Sequence, residues 1–216
     1  PTLAQRANGE LVLVWSGGRE SHVCPFGRVD WMRSYDEGES WTWPQTLTDG
    51  PIDDRDAGIV ETSSGALLAT TFTSLAYEAT LRQATNAQWP ADRLRKWRAA
   101  AARIPEAQRQ RQLGQWMLRS EDSGVSWSAP YRVPLNSPHG PIQLSDGRLL
   151  YAGKELWNAS KRIGVAESID DGRTWRPLSW IAPRPGHAVQ EYHELHAVEA
   201  SNGDLIIHIR NHNRSL

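Results

Sequence analysis

The chain has 216 residues, a formal net charge of −1 and one cysteine, Cys24. That length holds one sizeable domain or two small ones. The near-neutral charge gives no electrostatic grip on nucleic acid or an anionic membrane, and a lone cysteine builds no internal disulfide framework. No apolar run of about 18 residues occurs, so no membrane-spanning helix is expected.

In chain order, Pro1 to Gln5 carries a strand signal at the very start, and the chain is expected to be a piece of a longer protein. Asn8-Gly9 then precedes the apolar run Leu11 to Trp15. Strand-like Trp31-Met32-Arg33 leads into Ser34 to Trp41, SYDEGESW. Four charged residues, Asp53 to Asp56, open the next apolar run, and Ser64-Gly65 precedes Leu67 to Ala69. The segment from Trp89 to Gln115 is rich in Ala, Arg and Gln. It reads as two short helices, with Pro105 opening the second and Leu94, Trp97 and Ala101 on one face of the first. Trp116 to Arg119 leads into SEDSGVSW, Ser120 to Trp127. Asp146-Gly147 precedes Leu149 to Tyr151, and Gly164 to Glu167 leads into SIDDGRTW, Ser168 to Trp175. Finally Tyr192 to Glu199 and Leu205 to Arg210 flank Asn202-Gly203.

Two interleaved repeats organise these elements. The NG, SG, DG and NG pairs are hairpin turns, because Gly accepts the positive φ that a tight hairpin needs. Their glycines, Gly9, Gly65, Gly147 and Gly203, are offset by 56, 82 and 56 residues, a period of about 50 with one insertion. In the octapeptide Ser-x-Asp-x-Gly-x-Ser/Thr-Trp, the short Asp satisfies turn N–H groups, the Gly takes the left-handed conformation and the Trp packs at the start of the next strand. Three of the eleven tryptophans close these octapeptides. Short strands, regular turns and a fixed period predict antiparallel sheets repeated around an axis, a β-propeller.

The octapeptide resembles the Asp-box (BNR repeat) of the sialidase superfamily, and the resemblance covers the chain outside the helical segment. It implies an all-β fold: a six-bladed propeller of sialidase type, present as about four blades. The expected organisation is one partial propeller domain over residues 1–216 with a helical insertion at 86–114. The family's Asp-boxes fold hairpins at the outer edge of the blades, so Asp36, Asp122 and Asp170 are expected to be scaffold.

The resemblance also implies a site. An acidic sugar calls for arginines, whose guanidinium forks hold a carboxylate bidentately. The family uses a Tyr nucleophile activated by a Glu, with a separate general acid. Glu194 and Arg210, facing each other across the Asn202-Gly203 hairpin, resemble the activating Glu and a triad arginine; Glu199 is the competing carboxylate. Arg19 resembles a pocket arginine of the first blade. The loop after it holds no Asp, so Glu20 or His22 is expected to supply the proton. Arg55 and Asp56 open the second blade as substrate contacts, and His139 takes the equivalent place in the third. The nucleophilic Tyr and the remaining arginines are expected beyond the chain, so this segment alone is expected to be inactive.

The expected activity is that of an exo-acting glycosidase releasing sialic acid or another acidic sugar. The alternatives are a polysaccharide lyase, kept open by His22, His139, His193, His196 and His208, or a non-catalytic glycan-binding propeller. No cofactor or metal is expected: His193 and His196 are wrongly spaced for one strand face, and no third ligand is evident. A glycan is the expected partner, and the resemblance favours a secreted or periplasmic location.

Overall fold

A computed structural model describes residues 1–85 and 87–212. Strands β1 (Thr2–Gln5), β2 (Leu11–Gly17), β3 (Arg28–Ser34) and β4 (Gln45–Thr48) form an antiparallel meander, the first blade. The second consists of β5 (Asp53–Glu61), β6 (Leu67–Ser74), β7 (Gln115–Ser120) and β8 (Tyr131–Arg132). The third contains β9 (Ile142–Gln143), β10 (Leu149–Lys154), β11 (Ile163–Ser168) and β12 (Arg176–Ile181). Strands β13 (Tyr192–Glu199) and β14 (Leu205–Asn211) begin a fourth. This is a β-propeller of sialidase type, part of the ring being present. The four hairpin glycines all have positive φ, between 84° and 89°, as the turn chemistry requires.

The apolar cores lie between blades. Val12, Val14, Val29 and Trp31 of the first blade pack against Ala57, Ile59, Leu67 and Ala69 of the second. Leu68, Met117 and Val133 then meet Leu149 and Tyr151 of the third. Leu150, Ala152, Ile163 and Val165 meet Tyr192, Leu195 and Ala197 of the fourth. Strand β6 shows the logic: Leu67 and Ala69 turn to one neighbour and Leu68 to the other, as period-2 alternation dictates. A strand between two cores therefore reads as a continuous apolar run, not as an alternating one.

The first strands of the blades converge. Thr2 Oγ1 donates to the carbonyls of Ala57 and Pro138, each at 3.0 Å. Backbones come so close here that a Cβ on Gly58 would lie 2.4 Å from the Gly140 nitrogen, so only glycine fits. Between these strands runs a groove of about 520 Å³ whose walls include Thr2, Ile59, His139 and His196.

The connection from β6 to β7 contains three helices, α1 (Ala76–Gln83), α2 (Ala91–Ala101) and α3 (Glu106–Arg111). Helices α2 and α3 fall within the segment read as helical from sequence, and Pro105 stands immediately before α3. Helix α1 lies before that segment and was not expected. The face of α2 carrying Leu94, Trp97 and Ala100 is buried. Trp97, with Tyr77 of α1, packs against Cys24 and Phe26 of the β2–β3 loop. Cys24 is a buried free thiol. Among the described residues no helix is long and apolar enough to cross a membrane.

Candidate functional site

Each octapeptide joins the third and fourth strands of its blade. In a meander, that turn lies at the same end as the turn between the first and second strands. Asp36 Oδ1 accepts the Ser40 N–H at 2.9 Å and Oδ2 accepts the Ser40 hydroxyl, while Ser34 Oγ accepts the Gly38 N–H at 2.8 Å. Asp122 and Asp170 repeat the pattern with Ser126 and Thr174. These bonds, the Ser40 and Ser126 hydroxyls foremost, hold the carboxyls of Asp36 and Asp122 down at about 2. Gly38, Gly124 and Gly172 have φ of 93°, 80° and 82°, which explains the invariant spacing within the motif. Trp41 and Trp175 donate their indole N–H to Gly38 and Gly172. Trp127 instead packs edge-on against Trp31 of the neighbouring blade, ring centroids 5.7 Å apart. The three aspartates are thus fully engaged in their own turns.

The residues expected to carry chemistry gather at the other end, where the first strands begin. Two of these strands carry the same irregularity. On β5, Asp56 and Ala57 bulge between the pairs Arg55–Phe72 and Gly58–Thr70. On β13, Glu194 and Leu195 bulge between His193–Arg210 and His196–His208. Asp56 has φ 37° and Glu194 φ 52°. A left-handed acidic residue costs on the order of 1 kcal/mol, and such strain persists where the surroundings enforce it. Each bulge also resets the in–out alternation and re-aims the acid at its apex.

Arg210 Nη1 donates to Glu194 Oε1 at 2.5 Å, and both side chains remain about half exposed. That hydrogen bond holds the Glu194 carboxyl below its ordinary range, so it is an acceptor or base and not an acid. His193 and His196 are held below the usual imidazole range, in both cases chiefly by burial. The rings of His139 and His196 meet at 5.3 Å and those of His193 and His212 at 5.5 Å. Among the described residues no group of three His, Cys, Asp or Glu side chains is placed to hold a metal ion. Glu199 turns to the third blade, accepting from Ser145 N and Oγ. The Tyr192 hydroxyl accepts the Arg184 N–H and meets His187 Nδ1 at 3.0 Å, and Tyr77 is buried under α2.

The first and second blades meet through Arg19. Its guanidinium holds Asp53 with both Nη atoms, at 2.7 and 3.0 Å, and also reaches Ser16 Oγ and the His22 carbonyl. Arg55 is 8 % exposed and sits above the Phe72 ring, with Nη2 3.3 Å from His22 Nε2. Among the described residues its buried Nε has no partner. Glu20 accepts the Trp97 indole N–H at 3.0 Å and lies 3.5 Å from Arg93. His22 is exposed at the rim. The three carboxylates around Arg55 take separate tasks: Asp53 pairs with Arg19, Asp54 accepts the Gly50 N–H, and Asp56 forms the bulge.

Three residues of this end were not singled out from sequence. Asp53 is the partner of Arg19, and Lys154 and Ser137 grip the backbone beside Glu194. Lys154 offered only the signal of a charge at the end of the run Leu149 to Gly153, followed directly by Glu155.

No protein-family model matches the chain, and no curated protein matches it in sequence. Solved structures match almost its whole length. A Dyadobacter fermentans protein of unknown function is 18% identical with a TM-score of 0.68, over 97% of this chain and 60% of that one. The Hadza microbial sialidase Hz136 is 17% identical with a TM-score of 0.67, over 98% and 41%. The intramolecular trans-sialidase from Ruminococcus gnavus, solved with oseltamivir carboxylate, is 12% identical with a TM-score of 0.60, over 97% and 65%. At these identities the likeness is one of fold. The fold defines a sialidase-type propeller, and the chain spans 60% or less of the first two of these neighbours.

Proposed function

We propose that this chain is part of an exo-acting glycosidase that releases a terminal sialic acid or a similar acidic sugar. The observation that carries the reading is the Glu194–Arg210 pair at 2.5 Å, set on a strained bulge where the first strands converge. One Arg210 nitrogen holds Glu194, and the exposed remainder of the fork is free to grip a sugar carboxylate. Glu194, kept ionised, is suited to polarise a tyrosine hydroxyl supplied from outside these residues. Arg55, with an unpaired Nε, adds positive charge at the same end. Arg19 is committed to Asp53 and shapes the rim. Because Trp97 and Arg93 engage Glu20, the proton-donor role falls to His22, with Asp56 and His139 as sugar contacts.

The test is steady-state kinetics on the protein carrying all its blades, using an acidic sugar glycoside and its neutral analogue. Arg210→Lys keeps the charge and loses the fork, so KM for the acidic sugar rises several-fold. Glu194→Gln lowers kcat with little change in KM. An unchanged preference for the acidic sugar in Arg210→Lys would remove the carboxylate-clamp reading. An unsaturated, ultraviolet-absorbing product would indicate the lyase instead, and glycan binding without turnover a non-catalytic propeller.

A further inference from the structure

We propose that Lys154 is a positioning residue for the Glu194 site: it fixes the turn, and the Tyr192 carbonyl, through which the chain enters the site. The inference rests on the glycosidase reading of that site. Lys154 closes β10 and is 4 % exposed. A buried ammonium is costly unless its hydrogen bonds are met. Lys154 Nζ donates to three backbone carbonyls, those of Val189 at 3.2 Å, Gln190 at 3.1 Å and Tyr192 at 2.8 Å. These belong to the 3-10 turn Val189–Glu191 and to the first residue of β13.

The lysine is itself anchored. Its backbone exchanges two hydrogen bonds with Asn136, at 2.9 and 3.0 Å. The Asn136 amide in turn reaches the Thr71 carbonyl and the Tyr151 hydroxyl. The next residue, Ser137, donates its hydroxyl to the Leu195 carbonyl. The third blade therefore grips β13 at Tyr192 and again at Leu195. Only His193 and Glu194 lie between the two grips, and Glu194 is the residue forced to positive φ. A side chain that must sit within about half an ångström of its productive place needs such external support.

The same ammonium acts on His193. The charged and titratable groups facing that ring are Lys154, His212 and Glu194, with Arg210 across the ladder. Burial is the largest influence keeping His193 below its usual range, and the Lys154 charge is the next. Lys154 is itself lowered by burial to about 8. His193 therefore stays neutral beside Glu194 at physiological pH, which leaves the negative charge of Glu194 to Arg210 and the tyrosine hydroxyl it polarises.

The experiment titrates the His193 ring by NMR and measures turnover of an acidic sugar glycoside, in the wild-type protein and in Lys154→Met, which keeps length and removes charge. His193 is expected to titrate higher in the variant, with kcat down about tenfold or more and KM nearly unchanged, the signature of a misplaced catalytic group. A variant with unmoved kcat overturns the proposal. A His193 that follows Lys154 in a protein that turns over no acidic sugar upholds the positioning of His193 and removes the glycosidase reading.

Discussion

Trp97 donates its indole N–H to Glu20 Oε2 at 3.0 Å, joining helix α2 to the β2–β3 loop across 77 residues of chain. Phe26 meets the Trp97 ring edge-on and Arg103 donates to the Pro25 carbonyl, so the helix braces the rim loop at several points. Trp97→Ala should destabilise the protein by roughly 3–5 kcal/mol, as removal of a fully buried aromatic does. Trp97→Phe, which loses mainly the hydrogen bond, should cost about 1–2 kcal/mol. Urea unfolding of the two variants checks this, and an unchanged stability in Trp97→Phe would mean that the bond to Glu20 contributes nothing beyond packing.

The acid role is tested through leaving groups. Phenols depart without much protonation, whereas sugar alcohols need a proton. His22→Ala should reduce turnover of natural glycosides by about 10²-fold or more and that of aryl glycosides far less. Equal losses on both substrates would exclude His22 as the donor.

Asp54 should give the protein an inverted acid response. Burial raises its carboxyl from 3.8 to about 7. The folded state then binds more protons than the unfolded state between about pH 4 and 7, so this group lowers stability as pH rises through that window. Asp54→Asn keeps an acceptor for the Gly50 N–H and should stabilise the protein by roughly 1–3 kcal/mol at pH 8, with no gain at pH 4. Thermal melts at both pH values decide it, and a destabilised variant at pH 8 contradicts the assignment.

Asp36 and Asp122 respond in the opposite direction. Their folded values near 2 lie below the ordinary 3.8, so their contribution is complete above about pH 4 and disappears as pH falls through 2. Asp122→Ala should lower the melting temperature at pH 7 and leave sugar affinity untouched. A normal melting temperature with lost binding would assign this turn a different role.

The octapeptides and hairpins were legible from sequence because their chemistry is local. An Asp, a Gly and a hydroxyl within five residues satisfy one another without help from the rest of the chain. The bulges at Asp56 and Glu194 were not legible. Neither residue is glycine, and their positive φ is imposed by strand partners and neighbouring blades. Helix α1 was missed because Leu75, at its N-cap, supplies no capping side chain. The segment Asp53 to Asp56 posed a recognisable problem of crowded charge, but its solution depended on Arg19, 34 residues away. The role of Lys154 was not legible because its three acceptors are backbone carbonyls, which leave no trace in side-chain identity.

Because the cores lie between the blades, cohesion in this chain runs along a line of nearest neighbours. Strand β6 is buried against a blade on each side, whereas β14 is largely exposed. Amide exchange should therefore be slowest in β6 and β10, which are buried almost throughout. The bulge bearing Glu194 lies on the fourth blade. Whatever packs against that blade's outer face will set how firmly the candidate catalytic carboxylate is held.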